Sequence, residues 1–162
     1  MKSSGFTLIE LIVVIILLSI LAGIVAPQFG SFYKKVKFDS TIRRVKNFFY
    51  YTEFLALKNK TFCKIKINQN ENCFYAFINQ QGRLVPIERK RGKLKLPLGI
   101  KIGQIRIDGH LSESPVVKFK IYPLFVPHQI DIQIKGFENK GVFIRIEAGG
   151  GMVEVVEEHG EK

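Results

Sequence analysis

The sequence predicts an α+β fold, a long N-terminal helix packed on an antiparallel β-sandwich-like domain. Two observations predict it. The chain opens on an apolar run in which, from Phe6 to Tyr33, only Glu10 carries a formal charge. After Asn59 the apolar residues change from three- and four-residue steps to alternation, which is the change from helix to strand period. The divisions are a leader at 1–5, a helix at 6–58 with a membrane-spanning part at 6–29, and a β domain at 59–162.

The apolar run comes first. Leu11–Ala26 is dense in Leu, Ile and Val, and a spanning helix needs about 20 mostly apolar residues. Phe6 to Phe29 meets that length. A cleaved secretory signal would have a shorter apolar stretch of about 7–15 residues with a small-residue cleavage site after it. "SILAGIVAPQ" offers a poor one, so the segment is expected to stay. A carboxylate inside such a run is costly and is by default functional. Glu10 therefore needs a cationic partner. Lys2 is the nearby cation of the uncleaved chain. A chain cut just before Phe6 would add a new amine.

The stretch "GFTLIELIVVIILLSILAGIVAPQF" closely resembles the type IV prepilin signature, and the match covers residues 1–27. The resemblance implies cleavage between Gly5 and Phe6 by a prepilin peptidase that also methylates Phe6. It implies that Glu10 neutralises the N-terminal amine of a neighbouring subunit during assembly. Pro27 matches a proline carried by many members and would kink the helix or loosen a turn. Lys34, Lys35 and Lys37, with Arg43 and Arg44 beyond, would by charge alone put the far side in the cytoplasm. The resemblance puts it in the periplasm, and that placement is adopted.

Gln28 to Lys58 continues the helix. Phe38, Ile42, Val45, Phe49 and Thr52 form a stripe, with Phe48, Tyr51 and Leu55 beside it, as expected of an amphipathic helix that covers a sheet. The strands follow. "FCKIKIN" sets Cys63, Ile65 and Ile67 against Lys64 and Lys66, and "CFYAFIN" is its partner across the turn "NQNEN". "GRLVPIE" is short, and Pro86 marks an edge or a bulge. "IKIGQIRIDG" alternates around an irregularity at Gly103 that suggests a bulge. "VVKFKIYP" and "QIDIQIKG" alternate cleanly. "VFIRIEA" and "MVEVVEE" flank Gly149–Gly151 and read as a hairpin, its glycines a turn and not a phosphate loop. Seven or eight short strands result, a sandwich count.

The β region resembles, less specifically, the H-type minor pseudopilin of the type II secretion system and the related FimT-like minor pilins. The pieces "VVKFKIYPLFVP" and "VFIRIEAGGGMVEV" carry that likeness. It implies other pseudopilins or pilins in a fibre, prepilin peptidase and inner-membrane lipid as partners. The expected function is a pseudopilus subunit supporting protein secretion. The alternative is a minor pilin of pilus biogenesis or DNA uptake. No acidic cluster has calcium-loop spacing, which disfavours the major pseudopilin.

Charge and cysteines bound the rest. Residues 27–101 carry 17 Lys/Arg against 4 Asp/Glu, and residues 102–162 carry 7 against 9. The basic middle is either a solvated surface or a meeting place for nucleic acid, anionic lipid or an acidic protein. Its densest run is "ERKRGKLK", where Arg89, Lys90, Arg91 and Lys93 are candidates for gripping phosphates. The acidic end "EVVEEHGEK" departs from FimT-like pilins, which the family associates with DNA through basic residues toward the C-terminus. Cys63 and Cys73 would face each other if their hairpin registers them, and an oxidising compartment would let them join. Otherwise they are two packed thiols. His110, His128 and His159 show no metal-ligand spacing, and no P-loop, G-x-S-x-G or HExxH occurs. No enzyme, cofactor or metal is expected.

Overall fold

The computed structural model describes residues 7–87, 91–137 and 141–157, without the side chains of 22–29 and 157. The chain forms two compact units, residues 1–37 and 38–162. Helix α1 is assigned over Leu8–Lys58 and ten strands follow among the described residues.

Both ends of α1 have a local cause. Thr7 precedes the first helical residue and accepts a bond from the Glu10 N–H at 3.4 Å, while the Glu10 carboxylate takes the Thr7 N–H at 3.0 Å. This reciprocal pair is a capping box. At the other end Lys60 adopts a left-handed conformation, φ 50°. The Lys60 N–H then donates to Leu57 C=O and the Thr61 N–H to Ala56 C=O, both at 3.1 Å. Those two bonds form a Schellman stop, made here without glycine. Pro27 lies in the helical stretch whose side chains are not described.

In the first unit the described apolar side chains from Leu8 to Leu21 are all exposed. Among the described residues no helix is long and apolar enough to cross a membrane. The described side chains of the run stop at Leu21, so the rest of the expected span at 6–29 lies outside them. Ser19 sends its hydroxyl back to Ile15 C=O at 2.7 Å, which leaves no bare donor on an apolar surface.

In the second unit the helix stripe is buried at Ile42, Val45, Phe48, Phe49, Thr52 and Ala56. Sheet A has the order β3-β2-β1-β7, with β4 also on β2. Its strands are β1 Cys63–Asn68, β2 Cys73–Gln80, β3 Arg83–Pro86, β4 Lys93–Lys95 and β7 Val116–Ile121. Phe49 meets Phe74 edge-on at 5.9 Å and stacks on Phe119 at 6.4 Å, so α1 covers the inward rows of β2 and β7. Sheet B has the order β10-β9-β8-β5-β6. It is built from β5 Lys101–Ile107, β6 His110–Leu111, β8 Ile130–Lys135, β9 Gly141–Ile146 and β10 Val153–Glu157. All pairings are antiparallel, and both sheets join one apolar cluster with the helix. The class is α+β, as the alternation predicts. Asn72, in the β1–β2 turn, ties the sheets together. Its amide donates to Ile100 C=O at 2.7 Å and accepts from Ile102 N–H at 2.9 Å.

Two strands were not expected. β4 lies inside the basic run, and β6 has only two residues. The irregularity in β5 is a bulge between Ile102 and Ile105. A Cβ on Gly103 would stand 2.5 Å from Gln133 Oε1, and that oxygen accepts the Gln104 N–H at 3.2 Å. The missing side chain of Gly103 makes the room. Gly149–Gly151 connects β9 to β10, with Gly149 and Gly151 at positive φ, as the turn reading expects.

Candidate functional site

Three groups of residues hold the chemistry. The first is the start of α1. Gly5 and Phe6 lie outside the described residues. Glu10 is described, and its carboxylate takes the Thr7 N–H and the Thr7 hydroxyl, each at 3.0 Å, both on Oε2. Oε1 has no partner among the described residues. The capping geometry thus fixes the carboxylate through one oxygen. The T-x-x-E spacing signals this cap in the sequence.

The second group is the outward face of sheet A. The basic run does not act as one patch there. Arg89 and Lys90 lie outside the described residues. Arg91 sits over the Tyr51 ring at 5.1 Å. Lys93 lies in β4 opposite Tyr75. The strands instead gather lysines distant in sequence. Lys93, Tyr75, Lys66 and Lys118 form one row across four strands. Pro86, Phe77, Lys64 and Lys120 form the next. Lys66 and Lys93 hold their ammonium groups 5.3 and 5.2 Å from the centre of the Tyr75 ring, and Lys120 lies 4.7 Å from that of Phe62. The Tyr75 hydroxyl donates to Glu71, and that bond pushes the phenol's pKa up, well above the usual tyrosine range.

The hairpin does not bring the two cysteines together, so the disulfide is corrected to two free, buried thiols. Cys63 pairs with Ile78 and Cys73 with Asn68, which places them at opposite ends of the ladder. Cys63 also shares the inward row with Ile65 and Ile67, whereas Cys73 shares the outward row with Tyr75, because side chains alternate along a strand. Burial pushes the Cys63 thiol up to about 11 and moves Cys73 in the same direction.

The third group is one that sequence spacing missed. Asp108, at the end of β5, accepts from His128 Nδ1 at 2.7 Å and from Gln129 N–H at 2.9 Å. Those bonds hold its carboxyl below the usual range, with a smaller contribution from His110. Topology, not spacing, brings these residues together. His159 lies outside the described residues. Among the described residues no three potential metal ligands cluster.

Residues 1–26 match the family described as the prokaryotic N-terminal methylation motif. No curated protein and no solved structure matches the chain. The motif supports a type IV pilin-like prepilin, processed by prepilin peptidase and assembled with other pilins into a fibre.

Proposed function

We propose that the chain is an H-type minor pseudopilin of the type II secretion system. It is made as a precursor and anchored in the inner membrane by residues 6–29. It is cut between Gly5 and Phe6, methylated at Phe6, and packed through its helix into a short periplasmic pseudopilus. Its role is structural, with no catalytic step and no cofactor. Domain 59–162 lies in the periplasm.

The observation that carries this reading is the methylation motif at 1–26, directly joined to a helix that runs on to Lys58. The β domain adds support, since its two antiparallel sheets are what the H-type likeness implies. The described apolar residues surround the helix on every side between Leu8 and Leu21, and a helix apolar all round belongs in a membrane or a protein core. A FimT-like minor pilin of pilus biogenesis or DNA uptake is the second reading, favoured by the basic middle of the chain.

Intact mass with N-terminal fragmentation, on protein purified from membranes, tests the processing. The expected result is a chain beginning at methylated Phe6. A chain beginning at Met1, in cells with active prepilin peptidase, would overturn it. Deletion of the gene separates the two systems. Loss of secretion with pili intact supports the pseudopilin, and the reverse supports the pilus subunit.

A further inference from the structure

The outward face of sheet A goes beyond an assembly role. Its strands contain Lys64, Lys66, Lys93, Lys95, Lys118 and Lys120 on that face, and no Asp or Glu. None of the six lysines makes a salt bridge among the described residues. Lys66 stands directly opposite Lys118, and Lys64 opposite Lys120. Like charges directly opposite on one face destabilise a sheet, and here ring faces of Tyr75 and Phe62, not carboxylates, answer Lys66, Lys93 and Lys120. Sheet B differs. There Asp131 answers Arg145 at 2.7 Å, and β10 carries Glu154.

We propose that this face binds nucleic acid through its phosphates, without sequence preference. Three features favour a phosphate polymer. The cations are spread over two adjacent rows, about 6.7 Å apart at two residues of strand rise, so a linear polyanion can meet several at once. They are lysines, which act as point charges toward phosphate and not as planar forks that read base edges. Aromatic rings, Tyr75 and Phe77, sit within the same rows, the interleaving found where strands of nucleic acid lie on protein. An anionic membrane is less favoured, because both rings are half-buried and so supply little apolar surface for insertion. The proposal rests on the β domain alone and stands whichever fibre the subunit joins.

The test uses the full chain in neutral detergent with fluorescein-labelled DNA, single-stranded and duplex, of about 20 nucleotides. Anisotropy is followed from about 50 to 200 mM salt. Binding is expected to fall steeply with salt. The variant K64Q/K66Q/K118Q/K120Q should bind single strands at least about tenfold more weakly, with the log–log salt slope shallower by about 3. A charge-matched control, K46Q/K58Q/K101Q/K135Q, should keep most of the affinity. Thermal melting checks that the first variant folds, since the relief of two like-charge oppositions is set against the loss of the Lys66–Tyr75 and Lys120–Phe62 contacts. If it melts early, K118Q/K120Q carries the test, because both lysines are exposed, and it should lose about half of that slope change. Equal weakening of the two charge-matched variants would overturn the proposal. So would no retention of DNA at low salt, or retention of phosphatidylglycerol vesicles without retention of DNA.

Discussion

Thr7 and Glu10 close the first turn of α1 on each other, with two Thr7 donors on Oε2 of the glutamate and the Glu10 N–H returned to the Thr7 hydroxyl. The carboxylate satisfies a helix-start donor that would otherwise be bare, and the proposed assembly would give it a second function. The amine of a neighbouring chain starting at Phe6 is the donor that the proposed assembly supplies.

The two functions separate by substitution. Glu10→Val should still insert and still be cut, yet fail to join fibres. Glu10→Gln keeps an acceptor oxygen for Thr7 and loses the charge, so it should keep the helix start and also fail to join. Fibre incorporation, read by immunoblot of sheared fibres, checks both. Normal incorporation of the glutamine variant would show that capping, and not charge, is what assembly needs.

Asp131 and Arg145 hold the outward side of sheet B. Asp131 is 6% exposed and also takes the Gln129 amide at 3.1 Å. Asp131→Ala should lower stability by about 1–3 kcal/mol, below the 3–5 kcal/mol of fully buried pairs, because Arg145 still reaches water. Urea unfolding of the full chain in detergent measures it. A loss under about 0.5 kcal/mol would class the pair with surface ion pairs.

Gly103 and Gln133 form a close pair at the β5 bulge. Gly103→Ala should cost about 1–3 kcal/mol, since the added methyl displaces the Gln133 amide from the Gln104 N–H. Adding Gln133→Ala should cost less than the sum of the two single changes, as neighbours that share a space do. Additive costs would show that Gly103 matters for its backbone and not for the room it leaves.

Cys63 gives a pH signature. Its thiol titrates near 11 in the folded chain, against about 8.5 for an unperturbed thiol. Iodoacetamide needs the thiolate, so folded protein at pH 8 should label far more slowly than protein in urea. The unfolded chain releases this proton first as pH rises, so the thiol's contribution to stability is complete below the unfolded value and falls away toward about pH 11. Air-exposed protein should still titrate as two thiols in denaturant. One disulfide per chain would contradict the opposite faces of the two cysteines.

Much of this architecture is legible in the residues. The period change at Asn59 locates the end of α1, and alternation marks β1, β2, β5 and β7 to β10. The Gly103 bulge shows as a break in the isoleucine pattern. Other features need the register. Cys63 and Cys73 fall on opposite faces only once the turn fixes Asn68 against Cys73. The lysine face is invisible as a run, because β1, β4 and β7 each contribute two lysines from far apart in the chain. The run "ERKRGKLK" drew attention to itself by local density, yet β4 uses its last three residues as a strand.

β2 has its border covered in two pieces. β3 pairs with Phe77–Gln80 and β4 with Cys73–Tyr75, and between them the Ala76 N–H and C=O are taken by Gly92 and Ile87. The pieces that end this side of the sheet are four and three residues long, and one closes on Pro86. On this side a foreign strand seeking to extend the sheet finds no long row of free amides to copy, whereas the six-residue β7 forms the opposite edge. For a subunit that assembles with other pilins, this closes one border of the sheet to unplanned strand addition.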